Sequence, residues 1–523
     1  MDTESALGGQ ASLSPQKRNK FLFESTIMKY GIIAAGEGSR LAHESVSVPK
    51  PLVTVQGETL IDRLVRIFSD NGADEIVIIT RQEIPVRHKA GPPVIRQIVK
   101  ETPSSLHSFH EIAHFLKDSP FILTTVDTVF KESEFRRYVR AFRTAVEEGY
   151  DGMMGVTDYI DDEKPLYVKS ADTIETFLDS DPRNGCNYIS GGIYGLTPRA
   201  IDTLERCHAE GVSRMRNFQR ALLTDGQRLA VFPFSKIIDI DHATDIDKAE
   251  RFLKGTVLGI SRAAVFSPGR MAEDGKILSA VLMLLRQRGY DTSCVSEESI
   301  RAGKLPVADV YISMARHDET LAKLKGRNVI NSPAGTSLCN NRHALARKAQ
   351  ELRIAIPEII EELTARDISA GLWLKRARGT TVTADDTVFC NSVSALNAAL
   401  ARFKEKGIED VIIERHVPGD LVKFYGVCGT DFFSTVYPSD KGMTKFGLEV
   451  FNGECHHYAF DRTRFERDVK NMAEATGVRV FGGDAIIRED GSYVIIDFND
   501  WPSFSSCTRE ASEAIAYIIE GWF

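Results

Sequence analysis

Cysteine and tryptophan are scarce in this sequence: 523 residues hold eight Cys and three Trp. The cysteines (Cys186, Cys207, Cys294, Cys339, Cys390, Cys428, Cys455 and Cys507) are scattered and contain no CxxC pair. That argues against a disulfide framework or a structural zinc site, and for reduced thiols in a cytoplasmic setting. No apolar run approaches the roughly 18–20 residues that span a bilayer, so no membrane insertion is expected. A basic excess is missing too. Lys plus Arg is 65 against 73 Asp plus Glu, a net charge of −8. This disfavours sequence-independent nucleic-acid binding but leaves room for a local basic pocket around a phosphorylated small molecule. With 43% hydrophobic and 26% charged residues the composition is that of a globular chain. Its length corresponds to about three or four domains, or two large ones.

Residues 1–27 lack the apolar core of a signal peptide and read as a polar tail, disordered or non-native. Met28-Lys29-Tyr30 opens directly into a buried-type strand, which makes Met28 a candidate start of the fold and of the native product. Over residues 28–255, strand-like runs at Tyr30–Ala34, Glu75–Thr80, Phe121–Thr125, Gly152–Val156, Gly192–Leu196 and Leu229–Phe232 alternate with helical patterns such as Leu60–Asn71, Ser133–Glu148 and Arg199–Ala209. The alternation predicts an α/β domain with a mainly parallel sheet. A helix over Ala243–Leu253 closes it. A strand at Arg262–Phe266 and a helix at Gly275–Arg288 restart an α/β pattern in residues 256–523. That half ends in hairpin-like strands at Val411–Arg415, Val422–Val427, Phe432–Tyr437, Gly482–Arg488 and Ser492–Phe498, with Asp490-Gly491 as the last tight turn.

The first strand runs into Ala34-Ala35-Gly36-Glu37-Gly38-Ser39-Arg40-Leu41. Glycines at a strand end let backbone N–H groups approach phosphates closely. The pattern is not a dinucleotide fingerprint, because Leu41 stands where the third glycine would be, and no Gly-Lys-Ser/Thr follows to make a P-loop. Pro49-Lys50-Pro51-Leu52 comes next, and together GxGxRL…PKPL resembles the signature of the nucleotidyltransferase family, which includes sugar-phosphate, inositol-phosphate and phosphocholine nucleotidyltransferases. The resemblance covers roughly residues 28–255 and implies a Rossmann-like, GT-A-like domain. By that resemblance Ala35, Gly36, Gly38 and Ser39 would hold a nucleoside triphosphate, Arg40 the leaving pyrophosphate and Lys50 the α-phosphate. Asp127, at the end of its strand, resembles the first of two Mg²⁺-binding aspartates. The second falls in Ile237-Ile238-Asp239-Ile240-Asp241, where Asp239 is favoured and Asp241 is the alternative. Thr102, Ser104 and Ser105 stand where relatives contact the base; a helix N-cap is the competing reading. Asn187 and Gly192 resemble the acceptor-side loop. His110-Glu111-Ile112-Ala113-His114 matches the zinc-protease pattern HExxH, yet sits inside the nucleotidyltransferase pattern and reads as an amphipathic packing helix.

Near the C-terminus, Gly482-Gly483-Asp484-Ala485 and Asp497-Phe498-Asn499-Asp500-Trp501-Pro502 lie on the two arms of one hairpin. Asp497 and Asn499 are two apart on a strand and so share a face, which Asp484 can reach. Two carboxylates and an amide oxygen suit Mg²⁺ bridging ATP phosphates. The arrangement resembles the ATP-grasp superfamily over roughly residues 256–523, with inositol trisphosphate kinases and ribosomal-protein glutamate ligases the most similar. By that resemblance this half is an ATP-grasp α+β domain. The same resemblance implies that Lys375 would bind phosphate, Gly379 and Thr380 would belong to a loop over the phosphates, Glu414 would lie on the hinge that meets adenine, and Lys423 would meet phosphate or acceptor. Asn331 and Asn341-Arg342 match the family's opening segment in residue type.

These resemblances imply a bifunctional cytoplasmic enzyme using Mg²⁺ in both domains. One half would phosphorylate a small polar alcohol with ATP. The other would transfer a nucleotidyl group to the phosphorylated product, with CTP the favoured second triphosphate. Two rival readings stand beside it: a nucleotidyltransferase fused to an ATP-dependent carboxylate–amine ligase, and a non-catalytic nucleotide sensor. The expected partner is a phosphorylated small molecule, not nucleic acid; the oligomeric state, a homo-oligomer included, is left open.

Overall fold

The computed structural model describes residues 27–523 apart from 45, 89–90, 162, 182–184, 267–274, 380–382, 442–450 and 453. Nearly all of the polar tail, and Thr380, therefore lie outside the described residues. The chain divides after Leu253 into two compact units.

A nine-stranded sheet organises the first unit. Its parallel centre consists of β1 (Lys29–Ala34), β2 (Glu75–Thr80), β3 (Val94–Val99) and β4 (Phe121–Thr125), in the order β4-β1-β2-β3. β1, β2 and β4 read as nearly unbroken apolar runs, as strands covered on both faces must, and Ile32, Ile76, Ile78 and Ile122 are fully buried. The remainder corrects the mainly parallel expectation. β5 (Gly152–Thr157), β6 (Tyr167–Ser170), β7 (Ile174–Leu178), β8 (Tyr188–Leu196) and β9 (Leu229–Phe234) make a mixed half. β8 runs antiparallel to β4 and β5, and β7 antiparallel to β6. Only residues 171–173 join β6 to β7, too few for the crossover that a parallel pair needs.

Helices α1 (Leu60–Asp70), α2 (Ser105–Leu116) and α3 (Glu132–Glu147) pack on this sheet, and α4 (Ala243–Lys254) leads out of the unit. Thr59 caps α1 by accepting the Asp62 N–H, a satisfied N-terminal donor of the kind that fixes where a helix starts. One apolar core holds stacked rings: Tyr30 on Phe68 at 4.5 Å, Phe68 on Phe135 at 5.4 Å and Phe130 on Phe135 at 4.8 Å between centroids. Beside it the buried Arg63 donates to the Phe130 carbonyl at 2.7 Å and pairs with Glu132 at 2.9 Å, so no charge is left uncompensated.

The second unit opens with a four-stranded parallel sheet of β10 (Thr256–Ser261), β11 (Asp291–Ser296), β12 (Val310–Ser313) and β13 (Val329–Ile330), ordered β11-β10-β12-β13. The strand expected at Arg262–Phe266 lies instead at Thr256–Ser261, and Ala264–Phe266 is a 3₁₀ turn. A central parallel strand needs apolar side chains on both faces; Val257, Leu258 and Ile260 supply them, and Arg262 ends the run. Two antiparallel sheets follow. One contains β14 (Leu372–Arg376), β15 (Thr387–Cys390) and β16 (Val411–Arg415); the other contains β17 (Asp420–Val427), β18 (Phe433–Val436), β19 (Val480–Ile487) and β20 (Tyr493–Asp500), ordered β18-β17-β19-β20. The Asp490-Gly491 turn joins β19 to β20, with Gly491 at φ 78°. Helix α5 (Lys276–Gln287) packs against α6 (Thr508–Glu520). No helix among the described residues is long and apolar enough to cross a membrane.

Asn331 has a structural task here. Its buried amide donates to the Val480 carbonyl and accepts the Val480 N–H, both at 2.7 Å, tying the end of β13 to β19. Asn331→Ala leaves the Val480 N–H buried without a partner, while the Val480 carbonyl keeps the Trp501 N–H at 3.2 Å. Stability by urea unfolding should fall by roughly 1–3 kcal/mol.

Candidate functional site

In the first unit the candidate residues gather at the carboxyl ends of β1 and β4. Gly38 sits at φ 61°, a conformation suited to glycine. A Cβ added there would lie 3.3 Å from the Lys50 Cβ, so this glycine also lets the turn close against Lys50. Ala35 is buried, whereas Gly36, Ser39 and Arg40 are exposed. Lys50 starts a short 3₁₀ turn, Lys50–Leu52, flanked by Pro49 and Pro51, whose fixed φ angles hold the ammonium in place.

The Lys50 Nζ donates to Asp127 Oδ2, and to Asp241 Oδ1 at 2.8 Å. Arg40 reaches the other Asp241 oxygen at 2.9 Å. Oδ1 of Asp127 is buried and meets no hydrogen-bond donor. Burial opposes the Asp127 charge, but the Lys50 ammonium and its hydrogen bond outweigh it and hold the carboxyl below its ordinary range. Burial likewise opposes the Lys50 charge, and Asp127 and Asp241 together push its pKa well up.

The carboxylate brought to Lys50 is Asp241, the alternative of the sequence reading. Asp239 is exposed, opposite Thr128 in a two-residue ladder. The chain turns between them, because the Asp241 N–H bonds back to the Asp239 carbonyl at 3.1 Å, which re-aims the second carboxylate. Asp239 nevertheless stays in the neighbourhood. The buried Tyr194 hydroxyl is raised first by burial and then by the charges of Asp239 and Asp127.

Two residues that the sequence reading did not single out fix this loop. Asp245 accepts the N–H groups of Asp241 at 3.2 Å and His242 at 2.8 Å, and Glu44 accepts Ala243 N–H at 2.7 Å and meets the His242 ring at 2.6 Å. The signal was present for Asp245: an acidic side chain three residues after His242 at a helix start has the spacing of a capping pattern. Glu44 is adjacent only in space.

Gly192, at φ 72°, lies in a bulge of β8, where an added Cβ would sit 3.2 Å from the Thr128 hydroxyl. Asn187 is exposed, its N–H bonded to the Val168 carbonyl at 3.2 Å. Ser104 is the N-cap of α2, Ser105 its first residue, and the Thr102 hydroxyl bonds to Ser108 at 2.6 Å. The HExxH pattern is dispersed on α2: His110 pairs with Glu205, Glu111 with Lys100, and His114 stacks on Phe115. A cavity of about 340 Å³ opens beside the site, lined by Gly36, Gly38 and Lys50 among others.

In the second unit, the β17-β19-β20 ladder sets Lys423 opposite Asp484 and Asp484 opposite Asp497. Lys423 pairs with Asp484 at 3.0 Å, Arg342 with Asp497 at 2.7 Å, and the Asn499 amide donates to Asp497 at 2.8 Å. Burial opposes the Asp497 charge, yet Arg342, Lys375 and the Asn499 hydrogen bond bring its pKa down to about 2. On the neighbouring sheet the buried Lys375 pairs with Glu414 at 2.6 Å and donates to the Ile496 carbonyl at 3.1 Å, linking the two sheets. Gly379, at φ 87°, bonds its N–H to the Asn340 carbonyl at 2.8 Å, and Asn341 bridges Arg378. Lys423, Asp484, Arg342, Asp497 and Asn499 thus form one connected patch, which Lys375 and Glu414 join at the Ile496 carbonyl beside Asp497. No group of three or more His, Cys, Asp or Glu side chains is arranged as a ready-made metal cluster among the described residues.

Residues 31–186 match the model of the MobA-like NTP transferase domain. The N-terminal half carries a nucleotidyltransferase domain. Among curated relatives, the bifunctional protein GlmU of Methanococcus maripaludis is 22% identical over 237 residues, 44% of this chain and 56% of its own length. The mannose-1-phosphate guanyltransferase of Saccharomyces cerevisiae is 23% identical over 271 residues, 49% of this chain and 71% of its own. The chain thus spans little more than half the length of the first of these. Solved structures with similarity include a UTP-bound UGPase from Acinetobacter baumannii (16% identity, TM-score 0.38, 43% of this chain and 92% of that one). Another is the inositol-1-phosphate CTP transferase from T. maritima (17%, TM-score 0.34, 42% and 92%).

The Lys50 bridge generates a pH-dependent expectation. The Asp127 carboxyl is held low in the folded state, so the bridge stabilises above the ordinary carboxyl range and is lost as pH falls. Lys50→Met leaves a buried carboxylate uncompensated and should cost on the order of 3 kcal/mol at pH 7. In thermal unfolding the gap to the parent chain should narrow below about pH 4.

Proposed function

We propose that the chain is a bifunctional enzyme. Its first unit transfers a nucleotidyl group, with CTP the favoured donor, to a small phosphate monoester and releases pyrophosphate. Its second unit makes that monoester by passing the γ-phosphoryl group of ATP to a small polar alcohol. The observation that carries the first half is Lys50 held between Asp127 and Asp241 at the foot of the Gly36–Gly38 turn. The curated relatives support the substrate class: one is named for guanylyl transfer with mannose 1-phosphate.

In the transfer, a phosphate oxygen of the acceptor attacks the α-phosphorus, the new P–O bond forms, and the bond to the β-phosphate oxygen breaks with its electron pair leaving on pyrophosphate. Negative charge grows on the α-phosphate oxygens and the leaving group. The Gly36–Gly38 backbone would cradle the triphosphate, Lys50 would meet the α-phosphate, and Arg40 would hold pyrophosphate. Both cations are engaged with Asp241. Asp127, with its undonated buried Oδ1, and Asp241 offer the hard oxygen donors that suit Mg²⁺. When bound there, the ion would neutralise the carboxylates and polarise the phosphate.

In the second unit Asp484, Asp497 and Asn499 form an equivalent oxygen set, and Arg342 and Lys423 already compensate the carboxylates. Lys375 and Lys423 would meet ATP phosphates, and Glu414 the adenine hinge. The alcohol oxygen attacks the γ-phosphorus, ADP leaves, and the hydroxyl proton is released. Two consecutive activities on one chain raise the local concentration of the shared intermediate.

Separate reaction assays check the division. Asp127→Ala should lower CTP-dependent pyrophosphate release at least 100-fold and leave ATP consumption intact, and Asp497→Ala should do the reverse. Loss of both activities from either variant, with melting temperature unchanged, would refute the two-site reading. Capture of an acyl hydroxamate in the presence of hydroxylamine would replace the kinase half by a carboxylate ligase.

A further inference from the structure

We propose that Arg81, clamped between Glu37 and Glu101, reads the nucleobase in the first unit and selects cytosine over uracil. This rests on the nucleotidyl-transfer reading and adds to it the residue that sets the choice of triphosphate.

The sheet order delivers the three side chains in a row. Ala34 of β1 lies opposite Thr80 of β2, and Thr80 opposite Val99 of β3. Glu37 follows β1, Arg81 follows β2 at once, and Glu101 follows β3. All three emerge at the carboxyl ends of adjacent parallel strands, the edge where α/β sheets receive ligands. The Arg81 Nη1 donates to Glu37 Oε1 at 3.1 Å, and Nη2 donates to Glu101 Oε1.

Asp127 lies on the other side of β1, past the end of β4. Two strand spacings, roughly 10 Å, separate β4 from β2. That is the scale on which a ribose sets a base apart from its α-phosphate. The same cavity of about 340 Å³ is lined by Gly36, Gly38 and Lys50 and also by Thr80, Arg81 and Gln82. A triphosphate seated at Lys50 would therefore direct its base towards Arg81.

The ion pairs that hold Arg81 are exposed: side-chain exposure is 37% for Arg81, 69% for Glu37 and 67% for Glu101. Exposed pairs contribute little to stability and are easily exchanged for a ligand. What they supply is direction. A guanidinium fork flanked by carboxylates offers two donors beside an acceptor. Cytosine carries the complement, with O2 and N3 as neighbouring acceptors and the N4 amino group as the donor beside them. Uracil turns its N3–H against the guanidinium, so the fork separates the two pyrimidines. Adenine has one acceptor on that edge.

The test is calorimetric titration of the full chain with CTP and with UTP, each with Mg²⁺, before and after Arg81→Leu. The unaltered chain should bind CTP at least tenfold tighter than UTP, about the discrimination a bidentate arginine contact gives. Arg81→Leu should bring the two within about twofold by weakening CTP alone, and Arg81→Lys should not restore the difference, since an ammonium lacks the planar fork. Because the side chain is exposed, the variant's melting temperature should be unchanged. Equal binding of CTP and UTP by the unaltered chain, or a preference that survives Arg81→Leu, overturns the assignment while nucleotide binding stands. Binding of neither triphosphate overturns it together with the nucleotidyl-transfer reading.

Discussion

One ammonium group joins carboxylates that lie 77 and 191 residues away from it in the chain. The first candidate site depends on this bridge. Asp127 and Asp241 come from different connections, and two carboxylates brought this close repel unless a cation stands between them. Lys50 meets that requirement, and Arg40 adds a second cation at Asp241. The four side chains are together neutral. A ligand that met Lys50 and Arg40 would exchange partners with these carboxylates instead of burying new charge.

Exchange of this kind needs a rigid frame, because fixed dipoles and charges stabilise a developing negative charge only if they need not reorganise when it appears. The frame is visible in small contacts. Gly38 lets its turn close on Lys50. Pro49 and Pro51 fix the backbone at the lysine. Asp245 and Glu44 hold the loop of Asp241 through four contacts to its backbone and to His242. None of these groups is itself a member of the bridge, yet each limits where Lys50 and Asp241 can go.

How much of this the sequence disclosed follows from the range of each interaction. Central strands such as Glu75–Thr80 and Phe121–Thr125 were legible because burial on both faces leaves an uninterrupted apolar run. The glycine turn and the Asp490-Gly491 hairpin were legible because backbone conformation is a local property. The strand at Thr256–Ser261 was missed because its helix-to-strand junction, Lys254-Gly255-Thr256, has no turn cluster to mark it. That Asp241, and not the favoured Asp239, meets Lys50 was not legible, because the chain turns between them through a hydrogen bond from the Asp241 N–H to the Asp239 carbonyl. Ser104 shows a different limit: a serine at a helix start is sufficiently explained by its cap, and residue type alone does not separate that role from contact with a base.

The second unit supplies its own physical argument for a site. Asp484 and Asp497 are directly opposite on adjacent antiparallel strands, and like charges in that position destabilise a ladder. A sheet shaped for stability alone would place β-branched or aromatic residues there. This one retains both acids and adds Lys423 on the next strand and Arg342 from a helix to neutralise them. A local rule broken and then compensated by two further residues is the pattern of a functional site, where stability is given up for chemistry. Both units thus reach the same arrangement independently: partly buried carboxylates whose charge is balanced by neighbouring cations.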